Sequence, residues 1–66
     1  MSVGEYDIEV KAPGGHFRVI GRRGDSEWVI GDRTSRKLAD DLAEEEKCVG
    51  CAIEVYDDQG DMVGRV

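Results

Sequence analysis

The chain has no long apolar run, and this restricts where the protein is expected to reside. Its longest apolar runs are three residues, at Trp28–Ile30 and Cys51–Ile53, whereas a membrane-spanning helix needs about 20 apolar residues. No basic stretch followed by an apolar run stands near the N-terminus, so a signal peptide is not expected. We therefore predict a cytoplasmic protein without membrane attachment, in which both cysteines are reduced.

Residue types that carry catalysis or bind metals are also few. The 66 residues include one histidine and two cysteines, and His16 has no Ser, Cys or Asp at a recognisable catalytic spacing. The apolar side chains suffice for one thin core, because a domain of about 60 residues buries only about 60% of its unfolded surface. We therefore expect a single domain over residues 1–66 that is not an enzyme and needs no cofactor.

Charge is abundant and unevenly distributed. The formal net charge is −6, which argues weakly against nucleic acid or an anionic membrane as the partner. Residues 11–37 nevertheless carry seven Lys and Arg against three Asp and Glu, while residues 38–66 carry nine acidic residues against two basic ones. The chain is thus expected to have a basic pole and an acidic helix face.

Strand-like alternation occurs on both sides of one helical segment. The strand pattern predicts five strands, at Tyr6–Lys11, His16–Gly21, Glu27–Gly31, Cys51–Tyr56 and Met62–Val66. The last two are joined by a hairpin turn with the sequence Asp-Asp-Gln-Gly. The first three are expected to form an antiparallel meander.

The segment from Ser35 to about Lys47 is predicted to be an amphipathic helix. Its apolar stripe consists of Leu38, Ala39, Leu42 and Ala43, Ser35 is one candidate N-cap, and Gly50 is the expected C-terminal stop. The fold class is therefore α+β, in the order β-β-β-α-β-β, with the helix packed on one face of a small, mainly antiparallel sheet. The connection through the helix is long enough for a crossover to a parallel neighbour, and the first strand is our preferred neighbour.

The motif Cys48-Val49-Gly50-Cys51 permits three interpretations. This pair is expected to be structural, with Cys51 as a small core residue and Cys48 in the last helical turn, but such a motif can also be half of a zinc site or a thiol redox pair. A zinc site would require His16 and a carboxylate, or a second subunit. A redox role is disfavoured because the pair follows the helix, whose negative end opposes a thiolate.

Four arginines constitute a second candidate site, for an anion or a nucleic acid. Two precede the Gly24 turn and two flank the predicted helix start, where backbone N–H groups are free: Arg22, Arg23, Arg33 and Arg36. The alternative is that these side chains pair with nearby carboxylates and stay solvated. Because no aromatic residues are interleaved with them, nucleic-acid binding is an unlikely outcome.

The sheet face opposite the helix is the third and preferred candidate. Three residues are predicted to be left there without cover: Ile20, Val29 and Tyr56. Such a set can form an interaction surface, and small domains often complete their cores by association. We therefore predict a non-enzymatic module that binds a protein partner or itself, including as a homodimer.

Overall fold

The computed structural model describes residues 8–66 and confirms the predicted α+β fold, with one helix packed against an antiparallel sheet. Within these residues the elements are β1 (Phe17–Arg23), β2 (Ser26–Arg33), α1 (Arg36–Glu46), β3 (Ala52–Tyr56) and β4 (Met62–Arg65). No helix in the described part of the chain is long and apolar enough to cross a membrane.

The strands lie in the order β2-β1-β3-β4, and every neighbouring pair is antiparallel. Strands β2 and β3 are therefore parallel to each other, but β1 lies between them. The expected parallel neighbour is thus absent from this sheet, because the tight β1–β2 turn places β2 on one edge of β1 and leaves the other edge free for β3.

The predicted first strand differs most from the structure. Tyr6 and its neighbour Asp7 lie outside the described residues, and residues 8–11 form no strand. Both edges of β1 are already paired, so this segment has no β1 edge to join. Instead, the Glu9 carbonyl accepts a hydrogen bond from Arg18 at 2.7 Å, and the Ala12 N–H donates to the Asp57 carbonyl at 3.1 Å.

The helix forms where its sequence pattern predicts and supplies one side of the core. The Ser35 side chain caps its N-terminus by accepting from the Leu38 N–H at 3.2 Å. Leu38 itself is 48% exposed, so the buried stripe is narrower than predicted. It packs on residues of β1 and β3 to give the cluster Val19, Ala39, Leu42, Ala43, Ile53 and Val55.

A bulge in the β1–β2 pair determines which side chains face the helix. Ile20 pairs with Val29 while Val19 pairs with Gly31, so Ile30 is an extra residue on β2. Past this irregularity Trp28 pairs with Gly21, and a Cβ at Gly21 would lie 2.5 Å from the indole. The indole therefore lies directly over Gly21, in space that only glycine leaves free.

Candidate functional site

The two cysteines lie in the loop between α1 and β3 and are joined by a disulfide. The prediction of reduced thiols is therefore wrong for this structure. Their Cα atoms are 5.3 Å apart, within the range that a disulfide requires. A tight turn produces this approach, since the Cys51 N–H donates to the Cys48 carbonyl at 3.1 Å.

The helix ends at Glu46, within one residue of the predicted end, but Gly50 is not its stop and Cys48 lies beyond its last turn. The C-cap residue Lys47 is already extended, with φ −66° and ψ 147°. Gly50 has φ +83°, a left-handed conformation that glycine adopts without penalty. Gly50 therefore shapes the turn inside the C-x-x-C motif and does not stop the helix.

The loop presents an apolar surface, which we call the loop patch: Cys48, Val49, Cys51 and Val66. Val49 is 97% exposed at its tip, and together with Lys47 the four residues line a shallow cavity of about 360 Å³. Val66 is held there by its backbone N–H, which donates to the Ile53 carbonyl at 2.8 Å. Sequence reasoning missed Val66, because only the β3–β4 pairing brings it beside the motif.

A partly exposed tryptophan lies at the same end of the sheet as the loop patch and on the same face as Val66. Trp28 pairs with Gly21, Gly21 pairs with Ile53, and Ile53 bonds to Val66. Cross-strand partners point to the same face, so this row extends across the helix side of all four strands. Trp28 is 38% exposed and adds an aromatic group to this end of the molecule.

The charge around the loop is mainly negative. Glu44, Glu45 and Glu46 form the last turn of α1, where the negative end of the helix dipole also lies. Lys47 is the nearby cation, and its Nζ lies 3.3 Å from the Glu44 carboxylate. A thiolate at Cys48 would therefore face unfavourable charge on its helical side.

The disulfide contributes less to the stability of the fold than a bond that closed a long loop would. It links residues only three apart in sequence, and the chain-entropy relation for so short a loop gives about 2 kcal/mol. None of the buried residues of the core cluster is a cysteine, although Cys51 packs against its edge. The bond therefore closes the turn and also stabilises the folded chain.

His16 does not lie near the cysteines. It immediately precedes β1, whereas Cys51 immediately precedes Ala52, which pairs with Arg22 near the other end of β1. At about 3.3 Å per strand residue the two ends are roughly 20 Å apart. The structure therefore does not assemble a zinc site from His16, Cys48 and Cys51, and residues 8–66 contain no group of three or more His, Cys, Asp or Glu placed to hold a metal.

The preferred apolar set does lie together on the sheet face opposite α1. Ile20 pairs with Val29 on one side and with Glu54 on the other, while Tyr56 pairs with Arg18. Ile20 is fully buried, however, and Tyr56 is half-buried, which leaves Val29 as the exposed apolar member at 43%. The face is therefore mostly covered or polar rather than an open apolar patch.

A buried carboxylate network occupies this face. Glu54 is 7% exposed, and its Oε1 accepts from Arg22 Nε at 2.8 Å and from the Tyr56 hydroxyl at 2.8 Å. Arg22 also donates to Glu27 at 2.6 Å. Every buried side-chain polar atom of the described residues has a hydrogen-bond partner, so the network is complete without a ligand.

The pKa values reflect these contacts. Burial is the largest influence on the Glu54 carboxyl and acts to raise its pKa, but bonds from Arg22 and Tyr56 and the charges of Arg22 and Arg65 together hold the pKa below its usual value. Burial and the bond to Glu54 raise the pKa of the Tyr56 hydroxyl. Glu54 is therefore ionised at neutral pH and acts as a fixed structural anion.

The four arginines of the second candidate site are not brought together. Arg23 pairs with Ser26 at the β1–β2 turn, while Arg33 pairs with Phe17 at the other end of the same hairpin. Six strand residues separate these positions, or about 20 Å. Arg22 is held by Glu54 and Glu27, Arg36 lies 3.2 Å from Asp40, and Arg33 donates to a backbone carbonyl.

Comparison of this chain with protein-family models, with curated proteins and with solved structures finds no match. The candidate site is therefore chosen on geometry alone. The loop patch combines a rigid turn, a highly exposed apolar side chain and a concave surface, and no other set of residues described above has all three.

Proposed function

We propose that the protein is a non-enzymatic interaction module that binds a protein partner through the loop patch. The observation that supports this most directly is Val49, which is 97% exposed at the tip of a disulfide-closed loop beside a shallow cavity. A loop that is already rigid loses less conformational entropy when it binds. An exposed apolar side chain next to a concave apolar surface is a typical feature of a contact surface.

The charge around the loop patch favours a particular kind of partner. Glu44, Glu45 and Glu46 border the patch, so a second copy of the chain would bring like charges together, whereas a segment with Lys or Arg beside an apolar residue would complement them. We therefore propose a partner segment that inserts an apolar side chain next to Val49 and carries positive charge towards the end of α1.

Selection from a displayed peptide library on the immobilised, oxidised protein tests this proposal. We expect enriched peptides to carry an apolar residue flanked by Lys or Arg. Val49→Asp should weaken their binding by about 10- to 100-fold, because burying a valine side chain contributes about 1.5–3 kcal/mol.

Val29→Asp is the matched control, since Val29 is the exposed valine on the opposite face of the sheet. It should leave peptide binding unchanged. Loss of binding on Val29→Asp with retention on Val49→Asp would instead place the contact on the sheet face. Sedimentation of both variants beside the parent protein measures self-association, and a dimer abolished only by Val49→Asp would make a second copy the partner.

A further inference from the structure

The two sulfur atoms of the loop differ in accessibility. Cys48 is exposed, whereas Cys51 is half-buried and packs against the edge of the core cluster. A thiol–disulfide exchange begins at a sulfur that a partner can reach, and access is one of the factors that determine its rate. Cys48 is therefore the reactive position of the pair, and Cys51 is positioned to attack or release it from within.

The loop that contains both sulfurs is separate from the paired strands and from the helix. It lies outside both, between Glu46 at the end of α1 and Ala52 at the start of β3. The backbone hydrogen bond that closes its turn joins Cys51 to Cys48. The two sulfurs take no part in the pairing of β1 with β3, so we expect the sheet and the core cluster to persist in the reduced form.

We propose that Cys48 and Cys51 form a reversible dithiol–disulfide pair that reduces an accessible disulfide of the partner protein. The Cys48 thiolate attacks one sulfur of the partner disulfide, which forms a mixed disulfide and releases a partner thiolate that takes up a proton. The Cys51 thiol then loses its proton and attacks Cys48, which releases the second partner thiol. Two electrons and two protons pass to the partner, and the Cys48–Cys51 disulfide of this structure is the product. A second dithiol reductant, itself oxidised to a disulfide, restores the Cys48–Cys51 dithiol by the same exchange.

The direction of electron transfer follows from the charge around the loop. Pairs that act as oxidants have a reduced form stabilised as a thiolate, commonly at a helix N-terminus. Here Cys48 follows the C-terminus of α1 and its acidic last turn, so the reduced form receives no such stabilisation. The charge therefore favours the disulfide over the dithiol, and the dithiol donates electrons to a partner disulfide of higher reduction potential.

This inference rests on the proposed function only in its choice of partner, because the loop patch that would hold the partner also contains both sulfurs. Glutathione disulfide, a small oxidant that needs no docking surface, separates the two proposals. Failure to react with it overturns the exchange and leaves docking intact. Failure of the peptide selection overturns docking and leaves the exchange intact.

The test uses Cys51→Ser and Cys48→Ser, each with one remaining thiol, together with the reduced parent protein. Mass spectrometry follows formation of the mixed disulfide with glutathione disulfide. We expect Cys51→Ser, which retains Cys48, to react at least about tenfold faster than Cys48→Ser. Equal rates, or a faster Cys48→Ser, would overturn the assignment of Cys48 as the reactive position.

Two further measurements on the parent protein complete the test. Circular dichroism should show the same secondary structure for the reduced and oxidised forms, and unfolding upon reduction would show instead that the disulfide is a structural staple. At equilibrium in a glutathione buffer set to the potential of the cytosolic glutathione pool, most of the protein should be oxidised. A mostly reduced protein would overturn the proposed direction of electron transfer.

Discussion

Removal of the Arg22 guanidinium should destabilise the protein through the carboxylate that it leaves behind. Glu54 is 7% exposed and accepts hydrogen bonds from Arg22 and Tyr56 on one oxygen. Breaking a fully buried ion pair by removing one partner costs about 3–5 kcal/mol. Because the Arg22 side chain is 32% exposed, water can partly replace its hydrogen bond to Glu54. We therefore expect Arg22→Met to lower the free energy of unfolding by about 2–3 kcal/mol.

The assay is urea unfolding at neutral pH without reductant, followed by the fluorescence of Trp28, the only tryptophan of the chain. Arg36→Met is the matched control. Arg36 forms an exposed i,i+4 pair with Asp40, and such pairs contribute about 0.2–0.5 kcal/mol. The double variant Arg22→Met with Glu54→Gln should recover part of the lost stability, because the buried charge is then gone.

The pH dependence of the unfolding free energy gives an independent check that the ionised Glu54 carboxylate is the cause. The folded-state pKa of Glu54 is lowered, so its stabilising contribution is present above the ordinary carboxyl pKa and is lost as pH falls through the folded value. Arg22 is one of the groups that lower the pKa of Glu54, so that pKa should be higher in the variant than in the parent. Acidification should therefore favour the variant relative to the parent. Two results would refute this reasoning. One is a loss of unfolding free energy in Arg22→Met, relative to the parent, of less than about 0.5 kcal/mol at pH 7. The other is a loss that grows as the pH is lowered from 7 to 4.

Two further predictions concern single backbone positions. Gly21→Ala should lower the free energy of unfolding by about 1–2 kcal/mol and shift Trp28 emission to the red, because the new methyl group would overlap the indole at 2.5 Å. Gly14→Ala is the control, since a methyl group there meets nothing within 4 Å. A raised urea midpoint for Gly21→Ala with unchanged emission would contradict the prediction. Ser35→Ala should lower the free energy of unfolding by about 1 kcal/mol, because the cap on the Leu38 N–H is lost. Thr34→Ala, at the neighbouring exposed position, should lower that free energy far less. Equal effects of Ser35→Ala and Thr34→Ala on urea unfolding would count against the cap.

The local elements were predictable because each depends on a short stretch of side chains. Ser35 and the stripe Ala39, Leu42 and Ala43 predict an amphipathic helix, and α1 forms there. Alternation predicts β1, β3 and β4 within a few residues of their observed bounds. The Asp57–Gly60 turn also forms, with Asp57 Oδ1 accepting from the backbone N–H groups of Gln59 and Asp61.

The candidate site was predictable only in part, because it is assembled across the sheet. The C-x-x-C spacing drew attention to Cys48 and Cys51, but not to their disulfide or to Val66 at the end of β4. The bulge on β2 places Trp28 over Gly21, and it depends on pairing with a second strand. The separation of Arg23 from Arg33 likewise follows from the hairpin register.

Periodicity, capping and charge are properties of neighbouring residues. The α+β class, the amphipathic helix and the acidity near the C-x-x-C loop therefore follow directly from the amino-acid sequence. Three features follow only from the tertiary structure: β1 is enclosed by β2 and β3, Ile20 is buried, and Val49 and Val66 share one surface. These features depend on strand order and register, which arise from contacts between residues distant in the chain.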